Sequence, residues 1–457
     1  MTAFTTLPLS KAFLDNLQSL DYKSMTPIQE KSIPQVLAGK DVIAQAKTGS
    51  GKTAAFGIGL LNKLNSQSYL TQSLILCPTR ELADQVSKEL RKLARPIANT
   101  KITTLCGGTP IVPQTASLEH HPHIVVGTPG RILKHLQKGS LNLENLTTLV
   151  LDEADRMLDM GFLDDINLII DKTPDNRQTL LFSATFPDPI KKISRAIQIN
   201  PVEITVEAVH DDSKIKQVFY ETEKYARTDT LVSLLNHYSP QSSVIFCNRK
   251  QQCRELAEDL WSQGFNAVAL HGDLDQKERD QKLVQFANKS SSILIATDVA
   301  ARGLDIKDLE AVINYELSPD PEIHIHRIGR TGRAGNEGLA LSLFSPSEVS
   351  KVNAIEDYQK SPLSIESTDT LKSQAATKIK PPMSTLCINA GRKNKIRAGD
   401  ILGALTKKTN LPGKQIGKID IFDIISYVAV EQSAARQALK ILSDGKIKGR
   451  KYRVRKI

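Results

Sequence analysis

The sequence predicts two tandem α/β domains, each built on a parallel sheet, followed by a small, strongly basic α+β domain. Three observations carry this expectation. Short apolar runs alternate with amphipathic stretches of helical period, a rhythm that builds parallel sheets covered on both faces. The rhythm breaks at the polar stretch 209–214 and then starts again. Residues 380–457 hold 18 Lys and Arg against 5 Asp and Glu, a net of +13, whereas the first 379 residues sum to −3.

In the first segment, Ser73–Cys77, Ile124–Gly127, Thr148–Leu151 and Thr179–Phe182 are expected strands, rich in Leu, Ile and Val. Between them Arg80–Arg95 sets Leu82, Val86, Leu90 and Leu93 on one helical face. The second segment repeats the scheme with Ser243–Cys247, Ala267–Leu270, Ser292–Ala296 and Ala311–Asn314. Residues 361–381, rich in Ser, Thr and Lys and without a period, are expected to be a linker. In the tail, strand candidates Thr385–Asn389, Gly417–Ile421, Tyr427–Val430 and Tyr452–Arg455 surround helix candidates Ala398–Leu405 and Ser433–Leu442. The order is β-α-β-β-α-β. The expected domains are 1–207, 208–360 and 382–457.

The basic tail implies a polyanionic partner. The amino-terminal MTAFTTLPLSKAFLDNL has no basic-then-apolar leader pattern. No apolar run reaches the roughly 18 residues that span a bilayer, so no membrane partner is expected. Five scattered cysteines (Cys77, Cys106, Cys247, Cys253, Cys387) suit neither a disulfide framework nor a Cys-rich zinc site, and they fit a reducing cytoplasm.

Two motifs carry phosphate chemistry. Ala46-Lys47-Thr48-Gly49-Ser50-Gly51-Lys52-Thr53 follows an apolar stretch and opens a helical one. Its glycines let backbone N–H groups approach phosphate oxygens, and the helix N-terminus favours the negative charge. Lys52 can reach the β and γ phosphates of ATP, and the Thr53 hydroxyl can hold Mg²⁺. Ala46 departs from the usual glycine at the first position of such loops. Asp152-Glu153-Ala154-Asp155 directly follows the apolar Leu149-Val150-Leu151, at a strand end where α/β sheets bind ligands. Asp152 suits Mg²⁺ and Glu153 suits deprotonating the attacking water. An acidic cluster alone is most often a solvated surface; the phosphate loop reverses that reading.

Residues 152–155 spell DEAD, and from about residue 4 to residue 345 the chain resembles the DEAD-box ATP-dependent RNA helicases. The resemblance implies two tandem RecA-like domains and a set of site residues. Phe4, Tyr22 and Gln29, with Thr26-Pro27-Ile28, resemble the adenine-reading segment, and a loop beginning with Ala46 is common there. Pro78, Thr79, Arg80, Gly108 (after Gly107), Thr128, Pro129, Gly130 and Arg131 are implied RNA contacts of the first domain. Arg249, Gly272 and Thr297 are those of the second. Asp155, Ser183, Thr185 and His326 are implied to couple ATP state to strand separation. Gly303 and Asp305 are implied nucleotide contacts, and Arg330 and Arg333 the arginine fingers. Closure of the two domains on ATP and RNA would then pry a few base pairs apart and release RNA after hydrolysis.

The tail order resembles an RNA-recognition fold, an RRM-like domain. Its third strand offers one aromatic, Tyr427, and its first strand offers none, so stacking is poorly supplied. Basic side chains are plentiful instead, among them Arg392, Lys393, Lys448, Arg450 and Lys451. Contacts to the phosphates of a structured RNA are therefore expected. The whole chain resembles the bacterial DbpA-type branch of the family, which implies a hairpin of large-subunit ribosomal RNA, and ribosome precursor particles, as partners. No DNA partner is expected. The alternative is an ATP-gated RNA clamp or chaperone that grips without productive unwinding.

Overall fold

The computed structural model describes residues 2–46, 49–206, 215–301, 309–332, 337–371, 380–407 and 411–457. The chain divides into two compact units. The first carries seven strands: β1 (Val42–Gln45), β2 (Ser73–Leu76), β3 (Ile102–Leu105), β4 (Ile124–Gly127), β5 (Thr148–Asp152), β6 (Gln178–Ser183) and β7 (Val202–Thr205). They form one sheet in the order β3-β4-β2-β5-β6-β1-β7, and every neighbouring pair is parallel. β2, β4, β5 and β6 are buried along their whole length, as apolar strands with helices on both faces must be. The helix Arg80–Leu93 starts where the Thr79 side chain accepts the Leu82 N–H, and it buries the expected Leu82, Val86, Leu90 and Leu93. The strand order sets β5, β6 and β1 side by side, so the chain segments that follow them share one end of the sheet.

The second unit repeats the parallel design with β8 (Ile215–Glu221), β9 (Ser243–Phe246), β10 (Ala267–Leu270), β11 (Ile293–Ala296), β12 (Ala311–Asn314), β13 (Gly338–Phe344) and β14 (Ser364–Glu366), in the order β10-β11-β9-β12-β13-β8-β14. β14 falls inside the segment expected to link the domains. It pairs with β8 from Ser364 to Glu366, and Leu371 just beyond it is buried in the same core. Its polarity suits an edge strand, which alternation in a long Ser/Thr-rich stretch does not reveal.

The tail sheet is antiparallel: β15 (Met383–Ile388), β16 (Ile416–Ile421), β17 (Ser426–Glu431) and β18 (Val454–Lys456), in the order β16-β17-β15-β18. Helices Ala398–Thr406 and Ala435–Asp444 complete the expected β-α-β-β-α-β. One sheet face packs Leu386, Ile388, Val428 and Val430 against Ile401, Leu405, Ala438 and Leu442. The other face is covered as well. Cys387 and Tyr427 are fully buried with Val284, from the helix Gln276–Ala287 of the preceding domain. Asn288 Nδ2 donates to Thr385 Oγ1 at 3.3 Å, and the Ser290 and Thr385 hydroxyls meet at 2.7 Å. Tyr427, the aromatic that the sequence offers for stacking, is thus spent on packing between domains. No helix among the described residues is long and apolar enough to cross a membrane.

Candidate nucleotide and RNA site

The phosphate loop leaves β1 beside the end of β6, where the Ala46 N–H donates to Ser183 O at 3.0 Å. Gly49 and Gly51 take φ values of +85° and +95°, and Gly51 caps the helix Lys52–Lys63. A Cβ on Gly51 would stand 2.4 Å from Gln29 Nε2, so the close approach also needs glycine. The Gln29 amide clasps this loop. Its Oε1 accepts the Thr26 N–H at 2.9 Å, and its Nε2 donates to Gly51 O at 3.1 Å. Those bonds fix which end of the amide is which and leave one N–H and one lone pair to spare, the pair that an adenine edge requires. Phe4 is buried edge-to-face against Tyr22, with centroids 5.9 Å apart. The Tyr22 hydroxyl donates to Glu89 at 2.7 Å, and burial followed by that carboxylate raises its pKa. Lys47 and Thr48 lie outside the described residues.

Lys52 is buried, and its ammonium donates to Ala46 O at 2.6 Å. Thr53 follows it, half-buried, on the same helix. Asp152 ends β5, and its Oδ1 is buried with no hydrogen-bond partner among the described residues. Burial, against the opposing pull of Lys52, pushes this carboxyl up to about 7, and the neighbouring Glu153 adds to the rise. Glu153 sits in the left-handed region (φ 53°, ψ 52°), a conformation that costs a non-glycine about 1 kcal/mol and turns its side chain at the strand end. Its Oε2 lies 3.2 Å from Arg156 Nη1. Asp155 is, by contrast, saturated. Its Oδ2 accepts the Ala184 N–H at 3.1 Å, the Thr185 N–H at 3.0 Å and the Thr185 hydroxyl at 3.1 Å, while its own N–H donates to Ser183 Oγ at 3.3 Å. Asp155, Ser183 and Thr185, three of the four residues expected to couple, are thus joined directly.

The segments of the first domain expected at RNA lie within this same unit. The Arg80 guanidinium crosses Gly107 and Gly108 so closely that a Cβ on Gly108 would lie 1.7 Å from its Nη1. Arg131 sends both Nη1 and Nη2 to Thr109 O at 3.0 Å. Thr128 and Pro129 open the helix Pro129–Gln137, with Gly130 in its first turn.

In the second unit, Arg249 and Gly272 are exposed, and Thr297 Oγ1 accepts the Ala300 N–H at 3.3 Å. A hub that no motif in the sequence marks lies here. Arg327 is 2% exposed, and its Nε and Nη2 grip the Asp298 carboxylate at 2.7 Å each. Nη1 reaches Asn314 Oδ1 and Glu316 O, Nη2 reaches Asn248 Oδ1, and the guanidinium lies 5.1 Å from the Phe246 ring. An arginine between His326 and Ile328 on a short, otherwise apolar-patterned helix was the available signal. Arg330 follows one turn later, its N–H on Arg327 O at 3.2 Å, and His326 Nε2 stands 4.0 Å from Glu322. Gly303, Asp305 and Arg333 lie outside the described residues.

The tail holds two basic loops side by side. Lys395 (φ 59°) closes the turn Arg392–Asn394, and Lys448 (φ 51°) with Gly449 (φ 82°) makes the turn between Ile447 and Arg450. Lys448 Nζ donates to Lys395 O at 2.8 Å, which joins the loops. Arg392, Lys393, Arg450 and Lys451 are exposed around that joint, Arg392 being 3.4 Å from Asp423.

Residues 26–193 match the DEAD/DEAH box helicase family, 226–335 the helicase conserved C-terminal domain, and 385–456 the DbpA RNA binding domain. The chain belongs to the DEAD-box ATP-dependent RNA helicases: two parallel-sheet domains, an RNA-stimulated ATPase, and an RNA-binding domain at the C-terminus. It is 54% identical over 456 residues to the ATP-dependent RNA helicase DbpA of Escherichia coli, covering 100% of this chain and 99% of that one. It is 44% identical over 357 residues to the helicase CshA of Bacillus cereus, covering 78% of this chain and 68% of that one. Among solved structures, Dbp5 of S. cerevisiae bound to RNA and ADP BeF3 superposes with a TM-score of 0.73 at 31% identity, over 81% of this chain and 96% of that one.

Proposed function

We propose that this helicase remodels structured RNA during assembly of the large ribosomal subunit, in the cytoplasm, with its tail directing it to a hairpin of large-subunit ribosomal RNA. The observation that carries the catalytic half is the buried pair at the sheet end. Lys52 is held by a backbone carbonyl that ATP phosphates can replace, and Asp152 keeps an oxygen with no partner among the described residues. Mg²⁺ takes one or two carboxylates plus substrate phosphates and waters, so Asp152 and the Thr53 hydroxyl fit it. Held by Asp152 and Thr53, the ion would offset the charge of the ATP phosphates. Glu153 orients and deprotonates the attacking water, Gln29 reads the adenine edge, and Phe4 and Tyr22 wall the base. Arg330, with Arg333, stabilises the charge that develops on the transferred phosphate. Because they belong to the second domain, hydrolysis needs both domains closed on ATP.

RNA contacts come from Arg80, Gly108 and Arg131, with Pro78, Thr79, Thr128, Pro129 and Gly130 shaping their loops, and from Arg249, Gly272 and Thr297. Asp155, bonded to Thr185, transmits the nucleotide state to those loops, and His326 serves the same coupling. In the tail, Arg392, Lys393, Lys448, Arg450 and Lys451 take phosphates of the hairpin. The support for this is the joined basic loops and the relative named DbpA. The test compares ATP hydrolysis and strand displacement on large-subunit ribosomal RNA fragments and on unrelated RNAs of equal length. Preferential stimulation by the ribosomal fragment, with displacement, is expected. Equal stimulation by all RNAs would overturn the targeting, and hydrolysis without displacement would make the protein a clamp.

A further inference from the structure

His135 and Gln114 belong to none of the motifs above, yet they tie two of the RNA-contact segments into one body. His135 is fully buried on the helix Pro129–Gln137, one turn beyond Arg131. Its Nε2 lies 3.1 Å from Gln114 Oε1 and its Nδ1 lies 2.8 Å from Ser140 Oγ. The protons follow from what faces them. Gln114 Nε2 donates to Cys106 O at 2.9 Å and to Thr109 Oγ1 at 2.6 Å, so its oxygen is the atom turned to the ring. The ring must therefore carry its hydrogen on Nε2 and donate it. Burial, then the charges of Arg131 and Lys138, lower the imidazole pKa, so the ring is neutral at pH 7 and Nδ1 is an acceptor. The Ser140 hydroxyl donates to that nitrogen in preference to His135 O, 3.1 Å away, because a buried ring nitrogen without a donor is costly.

The path closes on itself. From the helix it runs through His135 to Gln114 and on to the loop Cys106–Thr109, whose Thr109 carbonyl returns both arms of Arg131 to the same helix. The Arg80 guanidinium rests on Gly108 of that loop. We infer that His135 and Gln114 are positioning residues for RNA: they hold the loop and the helix in the register at which Arg80, Thr109 and Arg131 meet one stretch of RNA backbone. This rests on the reading above that those segments contact RNA. The path is serial, with one bond from His135 to Gln114 and two from Gln114 to the loop, so cutting it at either residue leaves Arg131 to hold the loop to the helix. A misplacement of about 1 Å in a binding constellation can cost on the order of a hundredfold.

The experiment uses the full chain, poly(U) RNA as the probe, steady-state ATP hydrolysis and thermal unfolding. His135→Phe keeps the ring and removes its nitrogens; Gln114→Leu, at a half-exposed position, removes the other end. Each is expected to raise the RNA concentration for half-maximal stimulation roughly tenfold. The turnover at saturating RNA and the half-saturating ATP concentration should stay near those of the parent protein. The double variant should be no worse than either single, since both cut one path. His135→Gln, which keeps an N–H at the reach of Nε2, should recover most of the RNA response. The inference fails if His135→Phe moves RNA half-saturation by less than about twofold, or if the two substitutions add. It also fails if ATP half-saturation rises in parallel, which marks general damage. Arg131→Ala, measured alongside, separates the two levels. If it weakens RNA and His135→Phe does not, the brace alone is wrong. If Arg131→Ala leaves RNA half-saturation unchanged, the contact reading is wrong and the brace falls with it.

Discussion

Lys52 and Arg327 are both buried cations, 6% and 2% exposed, in regions that treat charge in opposite ways. Around Lys52 the protein leaves bonding capacity open. Among the described residues the ammonium rests on one carbonyl oxygen, and the facing Asp152 keeps one oxygen unmatched and is raised to about 7 by burial. Around Arg327, two nitrogens take a carboxylate, and further bonds reach two asparagines and a backbone carbonyl. The first arrangement is costly until a ligand arrives; the second is complete. A buried charge that is under-satisfied marks a site, whereas one that is saturated holds an architecture together.

That contrast sets the scale of the expected effects. Lys52→Ala should abolish ATP hydrolysis, while Glu153→Gln should retain ATP binding and lose turnover, because Asp152 is left intact. Arg330→Ala should lose roughly 10³–10⁵ in turnover while ATP binding to the isolated first domain is unaffected. Near-normal RNA-stimulated turnover of Arg330→Ala would remove the second domain from the chemistry. Arg327→Met should act on stability instead. It strands Asp298 and should cost about 3–5 kcal/mol in urea unfolding of the second unit. If Arg327→Met unfolded like the parent protein yet lost turnover, the hub would be catalytic and the contrast would collapse.

Asp152 sharpens the comparison through pH. Its folded pKa lies above the ordinary 3.8, so the folded protein holds a proton that the unfolded chain releases. Stability of the ligand-free protein therefore falls as pH rises from about 4 to about 7, and Asp152→Asn should remove that slope. At pH 8, without nucleotide or Mg²⁺, Asp152→Asn should be the more stable protein, by on the order of 2 kcal/mol in urea unfolding. A variant less stable than its parent there would mean that Asp152 is satisfied after all.

How much of this was legible follows from sequence distance. The parallel strands and the loop at Ala46–Thr53 are local patterns, and the DEAD run sits at the end of β5 as its apolar strand required. The bond from Asp155 to Thr185 spans 30 residues, and only the family resemblance pointed to it. The path from His135 to Gln114, the enclosure of Arg327 and the burial of Tyr427 against Val284 depend on which elements become neighbours. No periodicity encodes that. Tyr427 is instructive, because an aromatic on a third strand reads equally as a stacking platform or as interface packing.

The smallest expected effect tests the tail, and the fold dictates how. Deleting residues 380–457 would strip the cover from Val284 and leave Asn288 without Thr385, so a truncated protein would report damage to the second domain together with any loss of targeting. Neutralising exposed charges in the full chain avoids this. Lys448 is a poor choice, since its ammonium holds the two loops together. Lys393, Arg450 and Lys451 are exposed, and no hydrogen bond or ion pair described above engages their side chains. Each phosphate contact adds roughly 0.7–0.9 to the slope of log affinity against log salt. Lys393→Gln, Arg450→Gln and Lys451→Gln together should therefore lower that slope by about 2 for a large-subunit ribosomal RNA hairpin. Thermal unfolding and ATP hydrolysis saturated with unrelated RNA should not move. An unchanged salt slope would shift the polyanion contact away from the joined loops, onto other members of the tail's surplus such as Lys446, Arg453 and Arg455.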